Sequence, residues 1–154
     1  MRIMKKQHKL YKSVEGIFNL KHSLEHVFFR SFTNHYAHPE NLFHTHILTL
    51  VILSSHKILP MSEVSRRLNL EKGSFTPVAA KLIKLGYIQK TQDESDKRVY
   101  NLELTDLGLE VADDFKEKHL TYINQLVAQF SEDERKEYFE AIDKVYQMTK
   151  RLEI

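Results

Sequence analysis

Cysteine does not occur in this 154-residue chain. Disulfides and thiol redox chemistry are therefore excluded, and a reducing compartment such as the cytoplasm is the natural setting. Glycine and proline are scarce, four and three residues respectively. A fold built on tight turns and long loops is disfavoured, and the composition leans toward helices. Long hydrophobic runs are missing too. The most apolar stretch, Ile47 to Leu53, is too short to span a bilayer, so no membrane partner is expected. The opening MRIMKKQHKL is basic but leads into no long apolar segment, unlike a secretory leader. No nucleophile elbow, phosphate loop or HExxH pattern appears. That argues against an enzyme, and no cofactor is called for.

Apolar residues make up 42% of the chain, an ordinary globular share. Net charge is only +2, but it is unevenly placed. From Lys57 to Arg98 there are nine Lys and Arg against five Asp and Glu, while the remainder carries a small acidic excess. Such a basic segment suits an anionic partner such as nucleic acid, or is simply a solvated helical face.

Apolar spacing sets out the elements. Leu10, Val14, Ile17, Phe18, Leu24, Val27, Phe28 and Phe32 predict a long first helix over 8–35. AHPEN (37–41) breaks it at Pro39, and a second helix is expected over 42–54. Ile58 and Leu59 suggest a minimal edge strand before Pro60. Ser62 then reads as the cap of a short helix that turns Val64 and Leu68 inward. After a tight connection at Asn69–Leu70, KGSFTPVAAKLIKLGY (72–87) forms a further helix ending at Gly86. Strands over 87–91 and 99–104 flank the polar tip QDESDKR. Thr105 can cap the next helix, whose buried stripe is expected at Leu107, Val111, Phe115, Tyr122, Leu126 and Phe130. Ser131 and Glu134 form a capping box that opens a last helix burying Phe139, Ile142, Val145, Tyr146 and Leu152.

This order predicts a mainly α fold with a small β-hairpin wing: a winged helix-turn-helix lobe (55–104) flanked by N-terminal helices (1–54) and C-terminal helices (105–154). The terminal apolar stripes exceed what the small central lobe can cover. They read as a dimerisation layer, or else pack on each other within one chain.

MSEVSRRLNL, the helix ending LIKLGYI, the D-x-R pair Asp96 and Arg98, and the closing LT-x-x-G at Leu104, Thr105 and Gly108 together resemble the MarR (multiple-antibiotic-resistance regulator) family of winged-helix transcription factors. The tight part of the match covers about a third of the chain. The resemblance implies a homodimer joined through its terminal helices, most simply a repressor, on a pseudo-palindromic double-stranded DNA operator. It also implies response to a small-molecule effector. A zinc-responsive regulator of the same fold, and a winged helix used only for protein contacts, are the alternatives.

A recognition helix puts its first residues nearest the bases. Here the exposed side of that helix opens with Gly73, Ser74, Thr76 and Pro77, small or smooth groups that let the backbone approach base edges. Ser74 and Thr76 offer hydrogen bonds, and Pro77 an apolar contact to a thymine methyl. Lys72, Lys81 and Lys84 are expected at phosphates. Pro77 requires either a late helix start near Ser74 or a bend over Gly73–Pro77. On the wing, Arg98 is expected in a minor groove, Lys97 at a phosphate, and Asp96 either orienting Arg98 or bracing the turn. Arg66 can reach the DNA backbone, though Arg66 or Arg67 can instead pair with Glu63.

Nine histidines are many for this length. His22 and His26 flank Glu25 at helical spacing, and His44-x-His46 opens the second helix. Either pair could serve a nitrogen–oxygen metal site, but no metal ligand is assigned. No effector site is assigned either.

Overall fold

The structure is a computed structural model that describes residues 2–33, 36, 40–71 and 73–152, with backbone alone over 2–11. Lys72, Pro39 and most of the 37–41 break lie outside the described residues.

The first helix, α1 (Arg2–Leu24), runs into a π-helical turn over Glu25–Arg30 and a short α2 (Ser31–Thr33). The helical region expected over 8–35 is therefore present as far as Thr33 but changes pitch, and residues 34 and 35 lie outside the described residues. The wider turn shows in its bonds. The backbone N–H and Oγ of Ser31 both donate to the His26 carbonyl, five residues back, and Glu25 pairs with Arg30 at 3.3 Å, also five apart. Then follow α3 (His44–Ser54), β1 (Leu59–Pro60), α4 (Met61–Arg67), α5 (Phe75–Lys84), β2 (Ile88–Gln92), β3 (Tyr100–Leu104), α6 (Asp106–Val127) and α7 (Glu132–Lys150).

Two compact units emerge, Met1–Glu117 and Lys118–Ile154, with the boundary inside α6. In the first, the three strands form an antiparallel sheet in the order β1-β3-β2. Leu59 faces Leu102 across β1 and β3, while Ile88 faces Leu104 and Gln92 faces Tyr100 across the hairpin. Leu50 and Leu53 of α3, Val64 of α4, Ala79 and Leu82 of α5, Leu102 of β3 and Ala112 of α6 form one buried cluster. Truncating a side chain as enclosed as Leu82 to alanine costs about 2–5 kcal/mol. The short helices α4 and α5 are thus held by a shared core rather than by their own propensity.

One cap differs from expectation and one agrees with it. Pro60, not Ser62, occupies the cap of α4, with no side-chain bond. Strand β1 feeds directly into that helix, and the fixed φ of proline, −58° here, suits the junction. Thr105 does cap α6: its Oγ1 accepts the Gly108 N–H at 3.1 Å and donates to the Gly86 carbonyl at 2.6 Å. Gly108 packs on the backbone of Tyr87, and a Cβ there would overlap the Tyr87 carbonyl oxygen and stand 2.8 Å from its carbon. The LT-x-x-G pattern is therefore a cap followed by a glycine with no room for a side chain. The inward face of α6 accordingly uses Gly108, Ala112 and Phe115, while Leu107 is 48% exposed. Small residues win where the wing's backbone comes close.

In the second unit the Ser131–Glu134 capping box forms in both directions. Tyr138 packs against Phe130 at 5.6 Å between ring centroids. No residue of α7 is buried. The expected buried stripe is not buried: Phe139, Val145, Tyr146 and Leu152 are exposed in the single chain, as is Met148, and Ile142 is half-buried. Ile17 and Phe18 of α1, in the first unit, are each 68% exposed.

Candidate nucleic-acid interface

The opening of α5 settles the question raised by its weak helix formers. Gly73 sits at φ +91°, a left-handed conformation that glycine accepts without strain. Ser74 is the cap residue and Phe75 the first helical one. Pro77 therefore stands in the first turn, where its missing N–H would have had no intrahelical partner. The late start is what the chain adopts. Phe75, Ala79 and Leu82 face the core. Gly73, Ser74, Thr76 and Pro77 are exposed. Between this opening and α4 lies a cleft of about 350 Å³, lined by Ser62, Ser65, Arg66, Gly73, Phe75 and Thr76 among others.

On α4, Glu63 is gripped twice. Arg66 donates to it from Nε (2.9 Å) and a terminal nitrogen (2.8 Å), and Arg67 donates from Nε at 2.7 Å. These bonds hold the Glu63 carboxyl down at about 2. A terminal nitrogen of Arg67 also meets Nε2 of His56 at 3.0 Å, while Nδ1 of His56 lies 2.9 Å from the Ile52 carbonyl. Both arginines thus engage Glu63 rather than one of them. The Arg66 side chain still stays 74% exposed, able to exchange its surface partner for a phosphate at little cost.

Lys81 is placed differently from its expected role. Its ammonium donates to the Asn41 carbonyl at 2.8 Å and sits 5.5 Å from the centroid of the Phe43 ring. Lys84, on the same helix, is exposed.

The wing tip is built by two aspartates. Asp93 Oδ1 accepts the backbone N–H groups of Ser95 (3.0 Å) and Asp96 (3.1 Å) and the Ser95 hydroxyl (2.6 Å). Its Oδ2 accepts the Asn101 side-chain amide at 3.0 Å. So many donors hold the Asp93 carboxyl well below the usual carboxylate range. Asp96 accepts the Arg98 backbone N–H at 3.0 Å and its guanidinium Nε at 3.2 Å. It therefore both braces the turn and orients the arginine, whose side chain is 92% exposed. Lys97 is exposed as well, and its carbonyl accepts the Gln92 side-chain amide. Asp93 was absent from the expected site residues. The D-x-S spacing of Asp93 and Ser95 is the signal for it, since an aspartate commonly accepts the N–H two residues on. On the outer wing face, the Lys90 ammonium lies 3.8 Å from the Tyr100 ring centroid.

The histidine pairs do not gather a ligand set. The rings of His22 and His26 lie parallel with centroids 6.3 Å apart, and Glu25 is turned to Arg30. His46 is buried and its Nδ1 accepts the Phe43 N–H at 3.1 Å. Among the described residues no group of three or more His, Asp or Glu could hold a metal ion. Among them, too, no helix is long and apolar enough to cross a membrane.

Residues 42–100 match the model of the MarR family. The HTH-type transcriptional regulator BilQ of Clostridioides difficile is 31% identical over 88 residues, 57% of this chain and 60% of that protein. The transcriptional regulator AdcR of Streptococcus pneumoniae is 36% identical over 90 residues, 56% and 62% respectively. The matched region thus spans about 60% of the length of these relatives, which are transcriptional regulators rather than enzymes. Among solved structures, a crystal structure of MarR is similar at a TM-score of 0.69 and 22% identity, over 90% of this chain and 98% of that one. Streptococcus pneumoniae FabT in complex with DNA is similar at 0.63 and 22%, over 96% and 99%. These likenesses establish the mainly α winged-helix fold.

Proposed function

We propose that this chain, which carries a winged-helix domain of the MarR family, is a cytoplasmic, homodimeric transcriptional repressor that binds a pseudo-palindromic DNA operator. The observation that carries the reading is a pairing within one lobe: the exposed small-residue opening of α5, and a hairpin whose tip is pinned by Asp93 and Asp96 with Arg98 standing free of the surface. In this reading Ser74, Thr76 and Pro77 meet base edges in the major groove, where a helix start free of large side chains allows close approach. Arg98 enters the adjacent minor groove, Asp96 holding its guanidinium in plane. Arg66 and Lys97 meet phosphates. Lys72, by its position in the sequence before α5, belongs to the same set.

The dimer is supported by apolar side chains left exposed in the single chain, Ile17 and Phe18 on α1 and Val145, Tyr146 and Leu152 at the C-terminal end. A two-fold dimer places two recognition helices one helical turn apart on DNA, and occupancy of a promoter blocks access to it. Effector control belongs to the reading through the family resemblance.

Selection from a pool of random duplexes tests the proposal. The expected winner is an inverted repeat with half-sites about one helical turn apart. A pool that stays random after repeated rounds contradicts it.

A further inference from the structure

Lys81 lies on the recognition helix, yet its charge is turned away from the helix's free face toward the chain entering α3. Its ammonium meets the Asn41 carbonyl at 2.8 Å and the Phe43 ring at 5.5 Å. Both partners belong to the short corner that leads into α3. Asn41 takes a left-handed conformation, φ +50°, which asparagine tolerates better than most residues. Phe43 is the cap residue of α3, and its N–H is held by Nδ1 of buried His46. Phe43 is 70% exposed; its ring meets the His46 ring at 5.8 Å between centroids and the Lys81 ammonium at 5.5 Å.

We propose that Lys81 is a positioning residue rather than a phosphate ligand. It clasps α5 to the Asn41–Phe43 corner and thereby fixes the angle at which the helix opening is presented to DNA. The role rests on the DNA-binding reading above; the contact itself does not. A lysine bound for phosphate would be expected to lie extended and hydrated in the free protein. Here its hydrogen bond is charge-assisted and the same ammonium lies 5.5 Å from an aromatic centroid, two interactions that reinforce one geometry. The α5 core residues Ala79 and Leu82 fix where the helix packs, but an apolar contact is non-directional. A directional bond from the exposed side adds control of tilt.

The test has two arms. In the free protein, the Lys81 ε-methylene protons should be shifted upfield by the Phe43 ring current, and Phe43→Ala should abolish the shift. Random-coil ε-proton shifts in the intact chain would overturn the contact. In the second arm, DNA affinity is measured for Lys81→Met, Phe43→Ala, the double variant and Lys81→Arg, using the duplex selected by the wild-type chain. Lys81→Met should lower affinity about tenfold, on the scale of one charge-assisted bond, with unfolding midpoints well above the assay temperature. Phe43→Ala should lower affinity in the wild type but not in the Lys81→Met background, because residues acting through one contact are not additive. Lys81→Arg should restore most of the loss, and the slope of log affinity against log salt should be unchanged. Additive losses, accompanied by a slope reduced by about 0.9 per lysine, would overturn the positioning role in favour of a phosphate contact. So would wild-type affinity in Lys81→Met. A wild-type chain that selects no duplex would refute the regulator reading and this role with it, while the resonance arm still decides the clasp.

Discussion

Replacing Gly108 by alanine probes the joint that ties the wing to α6. A Cβ at this position overlaps the Tyr87 carbonyl oxygen and lies 2.8 Å from the carbonyl carbon and 3.0 Å from Leu104 Cδ2. Neither backbone atom can rotate away. The Tyr87 carbonyl also accepts the Thr105 N–H at 3.1 Å, and Thr105 in turn caps α6 through the Gly108 N–H. Making room therefore strains the helix cap as well as the strand start. Overpacking of this kind costs about 1–3 kcal/mol, and loss of the cap about 1 kcal/mol. The better helix propensity of alanine returns about 1 kcal/mol. The balance is a loss of roughly 2 kcal/mol, and a midpoint lower by roughly 4–8 °C for a chain of this size. Thermal and urea unfolding followed by circular dichroism measure it. Gly16→Ala is the control: a Cβ there meets nothing within 4 Å on the exposed face of α1, so it should stabilise by about 0.5–1 kcal/mol. A Gly108→Ala protein as stable as wild type would refute the close approach.

Other expectations are equally direct. Arg98→Ala should weaken binding to the selected duplex at fixed salt while sedimentation still reports the wild-type oligomer; unchanged affinity would remove the wing from the interface. Asp93→Ala should speed hydrogen exchange at the Ser95 and Asp96 amides, and Asp93→Asn, which keeps an acceptor oxygen, should do so less. Exchange unaltered in both would show that the carboxylate does not pin the tip. Burial, reinforced by Lys81, lowers the His46 pKa below 6.5, so the unfolded chain binds that proton first. The resulting stabilisation is complete above about pH 6.5 and declines as pH falls through the lower folded value. His46→Gln should therefore lose less stability than wild type between pH 7 and 5, and identical pH profiles would exclude His46 as a contributor. Removal of residues 131–154 should impair dimerisation, and a truncated chain that still sediments as a dimer would place the interface elsewhere.

The order of helices, the hairpin and the Thr105 cap were legible because each rests on local chemistry: apolar spacing, two strand-like runs around a polar tip, and a hydroxyl before a helix. What escaped the sequence depends on partners remote in the chain. Leu107 looks like a core residue by hydropathy, but the Tyr87 backbone leaves no room for a side chain at 108, and the face of α6 turned inward carries Ala112 and Phe115 instead. Ser62 has the chemistry of a cap, yet β1 continues into α4 and Pro60 takes the place. The π turn at Glu25–Arg30 carries no compositional mark. Within the candidate site, the exposure of Ser74, Thr76, Pro77 and Arg98 followed from their positions on a helix start and a hairpin tip. The destination of Lys81 was not, since Asn41 lies 40 residues away.

The central claim is that α5 and the wing form one DNA-reading surface. Fluorescence anisotropy of the intact chain against its selected duplex and a scrambled duplex, across a salt series, tests it most directly. The account predicts tighter binding to the selected duplex by about 10³-fold or more, with log affinity falling linearly and steeply against log salt. Equal affinity for the two duplexes, or affinity indifferent to salt, would contradict it.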